Sequence, residues 1–161
     1  MDKRTSDDPA WIPQDVVASV GYVVIAASML EFCLGQMAIT FDPDYVAPRR
    51  TWLPGQASDH RKLVRQAAGR LESDALQTSM LKWEGRAAAA LDRRDRLVHG
   101  TWMLDPQRDF APIIRHLRSD TSQIPEVETF RGLALELNTL ANEGIALSRE
   151  AAAGQKAPPG K

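Results

Sequence analysis

The stretch DALQTSMLKWEGRAAAALDRRDRLV, residues 74–98, decides the fold because its apolar residues fall at helical spacing. They lie three, four or seven positions apart and share one helix face; they are Leu76, Met80, Trp83, Ala87, Leu91 and Val98. Ser73 is a favourable N-cap before this stretch, and Gly100 suits the left-handed residue that ends many helices. The sequence therefore predicts an amphipathic helix with one buried face.

A second long helix is predicted upstream, over residues 14–39, and Pro13 suits its first turn. It is apolar on nearly every side, which is typical of a central core helix or a dimerisation helix. A membrane span asks for about 20 apolar residues, but the uninterrupted apolar or small run covers only residues 16–30 before Glu31. We therefore expect no membrane partner.

Two more helices complete the pattern. Ser58 can cap one over residues 59–71, and Pro125 opens another that runs to residue 150. Between the last two helices, residues 101–104 and 110–117 suggest short extended pieces around a turn, with Pro112 limiting the second to an edge position. The predicted fold is all-α: an antiparallel four-helix bundle with a small hairpin-like insertion before the last helix.

Length and composition fit one globular domain: 161 residues, 43% hydrophobic and 25% charged. We expect an N-terminal arm over residues 1–12, the bundle over 13–150 and a flexible tail over 151–161. The lone Cys33 cannot form an internal disulfide and is expected in the core. Residues 1–10 are polar and charged rather than signal-like, so a cytoplasmic location is expected. Three scattered histidines predict no metal site, and no cofactor is expected.

Charge is unevenly distributed along a chain of net charge −1. Residues 49–118 hold 14 basic and 8 acidic side chains, whereas residues 1–48 hold 2 and 7, and residues 119–150 hold 2 and 6. A basic middle could attract an anion such as RNA to one surface. The alternative is that these charges lie on solvated helix faces and pair with one another.

Arg94 is the most unusual residue of the third predicted helix. Continuing its apolar stripe from Leu91 leads to Arg94, so a guanidinium falls on the face that meets other helices. Burying a charge is costly unless it is paired. Glu31 is the only charge in the middle of the apolar first helix. We therefore expect Glu31 and Arg94 to approach within salt-bridge distance.

Asp95 and His99 are four residues apart and share a helix face, so the carboxylate could orient the imidazole. His99 also lies at a predicted helix C-terminus, where the dipole stabilises positive charge. Such a histidine suits a general acid or a phosphate contact. Arg94, Asp95 and His99 are the candidate catalytic residues.

This segment resembles the HEPN superfamily, whose motif is an arginine, a polar residue, a few further residues and a histidine. Arg94, Asp95 and His99 match it, and RLVHG, residues 96–100, followed by Trp102 is similar to the form in small bacterial members. The four-helix layout and the lone Glu31 in an apolar first helix are also similar. The departure is an aspartate where asparagine is commonest.

The resemblance implies a dimer with paired motifs at its interface. Because the first helix has more apolar surface than a four-helix monomer can cover, we expect a homodimer that uses the first and third helices. Active members cleave RNA without a metal: His99 would handle a proton or contact the phosphate, and Arg94 would stabilise charge on it. Glu31, Arg96 and Trp102 are further candidate binding residues. A toxin-like or defence role would add an antitoxin or another protein partner. Because a carboxylate at position 95 repels phosphate, and many members are inactive, a non-catalytic dimer that binds protein or nucleic acid is the alternative. A third interpretation is an unrelated helical bundle in which Arg94 and His99 are structural.

Other residues give weaker signals. His60 lies beside Arg61 and Lys62 and could contact phosphate, but we expect a surface histidine; His116 is expected to be an ordinary hairpin residue. The four tryptophans are expected to pack rather than to stack on bases.

Overall fold

The computed structural model describes residues 12–41, 56–105, 107, 111–116, 121–123 and 126–154. Its elements, in chain order, are α1 (Gln14–Phe41), α2 (Gln56–Ala68), α3 (Asp74–His99), β1 (Thr101–Asp105), β2 (Ala111–His116), β3 (Thr121–Gln123) and α4 (Val127–Gly154). The all-α fold with four helices and a small sheet before the last of them is confirmed.

The core lies between the four helices. α1 packs mainly against α4 and also against α2, while α3 packs against α2 and α4. The largest fully buried side chains come from all four helices and from β2, and include Leu30, Leu34, Met37, Val64, Met80, Trp83, Ile114, Phe130 and Leu137. Trp83 satisfies its indole by donating from Nε1 to the carbonyl of Leu140 at 2.8 Å, which ties α3 to α4. Trp83 is therefore a packing residue, as predicted.

The prediction for the N-terminus of α3 is confirmed, and the prediction for its C-terminus is wrong. The Ser73 hydroxyl accepts a hydrogen bond from the backbone N–H of Leu76 at 3.3 Å, as expected of an N-cap. Gly100, however, has φ −68° and ψ 148°, which is extended backbone. Glycine is needed there for a different reason: a Cβ would lie 2.3 Å from Cγ2 of Ile114 and 2.7 Å from the carbonyl oxygen of Arg96. Close approach of β2 explains the glycine.

The boundaries of α2 and α4 differ from the predicted ones. α2 begins at Gln56, so Ser58 lies inside the helix and the predicted cap there is wrong. α4 begins at Val127 and continues to Gly154, four residues beyond the predicted end, with Ala151 fully buried. Residues 1–11 and 155–161, which make up most of the predicted arm and tail, lie outside the described residues.

The insertion is a three-stranded antiparallel sheet in the order β1-β2-β3. The predicted hairpin is β1 with β2, paired from Thr101 opposite Arg115 to Asp105 opposite Ala111. β3 was not predicted; it pairs only with residues 114–116 of β2. Among the described residues, the part of β2 that contains Pro112 therefore has a neighbouring strand on one side, which is the edge environment that proline requires.

Candidate active site at the end of α3

The Arg94 side chain points into the bundle from the penultimate turn of α3 and binds Glu31 of α1. The Arg94 side chain is only 18% exposed, and its Nη2 forms an ion pair with Oε1 of Glu31, whose side chain is 38% exposed. The helix period predicted this contact, because each residue is the odd charge on a face that packs against another helix. The ion pair joins two helices that lie diagonally in the bundle.

Asp95 contacts Arg94 and does not contact His99. Its Oδ1 lies 3.2 Å from Nη1 of Arg94. The expected orientation of His99 by Asp95 is absent: within the described part of the chain, His99 makes no hydrogen bond or ion pair. The geometric reason is that the neighbouring guanidinium offers the Asp95 carboxylate a charged partner.

The charge balance of this cluster is unusual for a phosphate-binding site. One arginine faces two carboxylates, those of Glu31 and Asp95, so the three side chains together carry net negative charge. One donor of the guanidinium remains unused: Nε of Arg94 is buried and has no acceptor among the described residues. The Nε–H is thus a buried donor without an acceptor at the centre of this cluster.

His99 is the last residue of α3 and its side chain is exposed. It lies five residues after Arg94, so the two are more than one helical turn apart along the chain. The structure thus places an accessible imidazole and a largely buried guanidinium near the same end of the bundle.

The other two candidate binding residues have structural partners. Arg96 is exposed and pairs with Asp92 one turn earlier, at 2.5 Å. Trp102 is half-buried, donates from Nε1 to the carbonyl of Leu97 at 3.3 Å, and packs its ring 6.4 Å from that of Phe130. Trp102 therefore anchors the start of β1 to the ends of α3 and α4, which is a packing role.

His60 was predicted to lie on the surface, and this prediction is wrong. It is 8% exposed and lies against Gly35, where a Cβ would be 3.3 Å from its Cε1. Burial lowers the pKa of His60 below its ordinary value, while Asp59 and Glu31 act in the opposite direction. Since Glu31 contributes, His60 belongs to the surroundings of the Glu31–Arg94 pair. The missed signal is that His60 stands four residues before Val64, which is fully buried on the same face of α2.

A buried carboxylate, that of Glu84, was also missed. It is 5% exposed, and its Oε1 lies 2.6 Å from Nε of Arg61 and 3.8 Å from Nε of Arg65. Glu84 stands four residues after Met80 on the inner face of α3. A search for charged residues on the apolar face of α3, which identifies Arg94, therefore also identifies Glu84.

Most of the described basic side chains in the middle of the chain are paired within the fold. Arg86 binds Glu143 at 2.8 Å, and Arg93 binds Glu136 at 2.5 Å, so arginines of α3 meet glutamates of α4. These contacts favour the pairing interpretation of the charge pattern over a basic surface open to an anion.

The remaining candidates add no chemistry. His116 lies in β2, and Trp11 and Trp52 lie outside the described residues. Among the residues that are described, no group of three or more His, Cys, Asp or Glu side chains could hold a metal. Cys33 is buried, and burial raises the pKa of its thiol to about 11.

α1 is the one helix in the described ranges that is long and apolar enough to cross a membrane by length and composition. A core helix of a soluble protein has the same properties. Comparison of the chain with models of protein families, with curated proteins and with solved structures finds no match.

Proposed function

We propose that this chain is a HEPN-like domain that acts as a metal-independent endoribonuclease, with Arg94, Asp95 and His99 as its catalytic residues. The observation that carries the proposal is an exposed His99 close in sequence to an inward-facing Arg94 whose buried Nε–H has no acceptor among the described residues. The motif resemblance and the four-helix fold add support.

The proposed reaction uses the substrate's own nucleophile. The ribose 2′-hydroxyl attacks the adjacent phosphorus, the bond from phosphorus to the 5′-oxygen breaks, and the products are a 2′,3′-cyclic phosphate and a 5′-hydroxyl. His99 either takes the proton of the 2′-hydroxyl or gives one to the leaving 5′-oxygen, and water exchanges the other proton. Arg94 donates hydrogen bonds to the phosphate oxygens as negative charge develops on them. A homodimer would supply the second motif, and a cytoplasmic, toxin-like role with an antitoxin partner belongs to the same proposal.

The test is cleavage of total RNA and of a defined RNA, with and without EDTA. His99→Ala should lower the rate by about 10²–10³-fold, the usual cost of removing one such group, and Arg94→Lys should do the same because the planar fork is lost. Arg93→Ala is the matched control, because Arg93 is exposed, adjacent in sequence and paired with Glu136. Circular dichroism checks that each variant is folded.

The products give an independent readout. They should carry 2′,3′-cyclic phosphate ends, and DNA of the same sequence should resist because it lacks the attacking hydroxyl. Activity that is lost in EDTA, or that persists near the wild-type rate in His99→Ala, contradicts this mechanism.

The second candidate is a non-catalytic HEPN-like dimer that binds a protein or nucleic-acid partner. The observation that favours it is the ion pair between Arg94 and Asp95, because it leaves the guanidinium neutralised from two sides. A wild-type protein inactive on varied RNAs would support this candidate. Asp95→Asn then removes one carboxylate from Arg94, and a gain of cleavage in that variant would identify a nuclease that this aspartate holds inactive.

A further inference from the structure

A groove of about 560 Å³ lies between α1 and α4. Its floor is formed by three buried side chains, those of Cys33, Met37 and Ala141. The two helices come very close here, because a Cβ on Gly144 would lie 2.7 Å from Sγ of Cys33. Small side chains at the meeting point of the helices therefore leave room above the floor, and this room is the groove.

The walls of the groove are large, apolar and accessible. Met29 and Phe32 of α1 and Ile145 of α4 line it and are 53%, 54% and 40% exposed. Two of the five methionines of the chain, Met29 and Met37, belong to the lining. A methionine side chain is unbranched and polarizable, so it adapts to an apolar partner of irregular shape. The lining therefore suits a flexible apolar chain.

The charge of the lining is positive. Arg149 of α4 is the one charged side chain among the described residues that line the groove, and within the described part of the chain it makes no hydrogen bond or ion pair. The guanidinium fork binds a carboxylate through two parallel hydrogen bonds. One arginine without a competing carboxylate predicts a ligand that carries a single negative charge.

The other polar side chains of the groove are neutral. Gln36, Asn138, Asn142 and Ser148 line it, and none of these side chains makes a hydrogen bond to another described residue. An apolar floor with a few polar groups around it is the usual composition of a small-molecule site, and such sites have volumes of about 300–1,000 Å³. The groove fits this class by volume and by lining.

The position of Arg149 at one end of the α4 lining sets the length of the ligand. Asn138, at the other end, stands eleven residues earlier, which is about 16 Å along a helix. An extended chain advances about 1.2 Å per bond, so a carboxylic acid of about twelve carbons spans about 13 Å. Such a molecule covers the apolar floor while its carboxylate lies at Arg149.

We propose that the groove between α1 and α4 binds a medium-chain fatty acid, with the carboxylate held by Arg149. At about 100° per residue, Glu31 lies at least about 100° around α1 from each α1 residue that lines the groove. The site is therefore on a different face of α1 from the ion pair with Arg94. The proposal does not depend on the proposed ribonuclease function, since fatty-acid binding and RNA cleavage are measured separately.

The first test is calorimetric titration of the full chain with dodecanoate below its micelle concentration, which should show saturable binding. Arg149→Glu should weaken this binding by about tenfold or more, because a charge-assisted hydrogen bond is lost and a like charge is introduced. Arg149 is exposed, so the variant should remain folded, which circular dichroism checks.

Two controls isolate the role of the charge. Arg131→Glu makes the same change on an exposed arginine of α4 that pairs with Glu128 and does not line the groove, so this variant should keep the wild-type affinity for dodecanoate. Dodecanol has the same chain without the carboxylate. It should bind the wild type and Arg149→Glu with equal affinity.

Nuclear magnetic resonance of methyl-labelled methionine locates the ligand. Dodecanoate should shift the methyl signals of Met29 and Met37, which line the groove. The signals of Met80, which is fully buried in α3, and of Met103 in β1 should stay in place. Single Met→Leu substitutions assign each signal.

Four results would overturn the proposal. The first is a wild type that does not bind dodecanoate saturably, and the second is an Arg149→Glu variant that binds it as tightly as the wild type. The third is Met29 and Met37 signals that shift with protein concentration but not with dodecanoate, which would assign the groove to a second copy of the chain. The fourth is binding to phosphatidylcholine vesicles without binding to monomeric dodecanoate, which would assign the groove to a membrane.

Discussion

Removing the Glu31 carboxylate should destabilise this protein more than loss of a surface ion pair does. Arg94, its partner, is only 18% exposed and already has an unsatisfied Nε–H among the described residues. Loss of one partner of a fully buried pair costs about 3–5 kcal/mol, and an exposed pair contributes about 0.2–1 kcal/mol. Because Glu31 is 38% exposed and Asp95 remains on Arg94, Glu31→Gln should lower the free energy of unfolding by about 1–3 kcal/mol.

A double-mutant cycle isolates this pair. Urea unfolding at neutral pH of the wild type, Glu31→Gln, Arg94→Met and the double variant gives the coupling free energy, which we expect near 1–2 kcal/mol. The double variant should be more stable than the sum of the single changes implies, because no half-buried charge is left alone.

The control cycle is the exposed pair of Arg96 with Asp92, on the same helix and one turn apart. Its coupling should be about 0.3–0.5 kcal/mol. If the Glu31–Arg94 coupling is no larger than this, the Arg94 guanidinium is as accessible to water as that of an exposed arginine. The reasoning from helix period to an inward arginine would then be refuted.

Two further predictions concern buried contacts. Gly144→Ala places a Cβ 2.4 Å from Cζ2 of Trp83 and 2.7 Å from Sγ of Cys33, so it should cost about 1–3 kcal/mol in urea unfolding. The same change at Gly132, where a Cβ meets nothing within 4 Å, should stabilise by about 0.5–1 kcal/mol, and equal effects at both sites would contradict the packing. For His60, burial lowers the pKa below 6.5, so stability is full above pH 6.5 and falls as pH drops through the folded pKa. Urea midpoints between pH about 7.5 and about 5.5 should fall more in the wild type than in His60→Gln, and parallel curves would speak against this assignment.

The helical part of the fold could be predicted because each helix carries a visible period. The stripe of α3 and the all-apolar α1 specify which faces are buried, and the odd charges on those faces, Glu31 and Arg94, must then meet. The Ser73 cap follows from local chemistry alone. These features depend on short-range spacing, which a single sequence displays directly.

The features that were missed depend on contacts between distant parts of the chain. β3 contains Thr121, Ser122 and Gln123, a polar strand without alternation that forms because β2 offers it hydrogen-bonding partners. Gly100 is needed because Ile114 comes close in space, which no local pattern reveals. The polarity of His60 predicts an exposed side chain, whereas Gly35 of another helix makes room for it in the core.

The candidate site was only partly predictable for a similar reason. Residue types and helix spacing indicated that Arg94, Asp95 and His99 lie together, but could not say which pair bonds. Asp95 is adjacent to Arg94 and one helical turn before His99, and it contacts the guanidinium. The stronger charged contact prevails, and this leaves His99 accessible.

The two ion pairs between α3 and α4 favour one alignment of the two helices along their length. Arg93 follows Arg86 by seven residues on α3. Its partner Glu136 precedes Glu143, the partner of Arg86, by seven residues on α4. Each pair is exposed and adds little stability, yet sliding α4 by one turn would separate both at once. The two helices are joined by a 27-residue connection, residues 100–126, that is too long to fix their alignment. Charges that form a basic block and an acidic block along the chain thus favour the same alignment of the two helices as the buried contact of Trp83 with Leu140, and high salt should weaken the contribution of the charges alone.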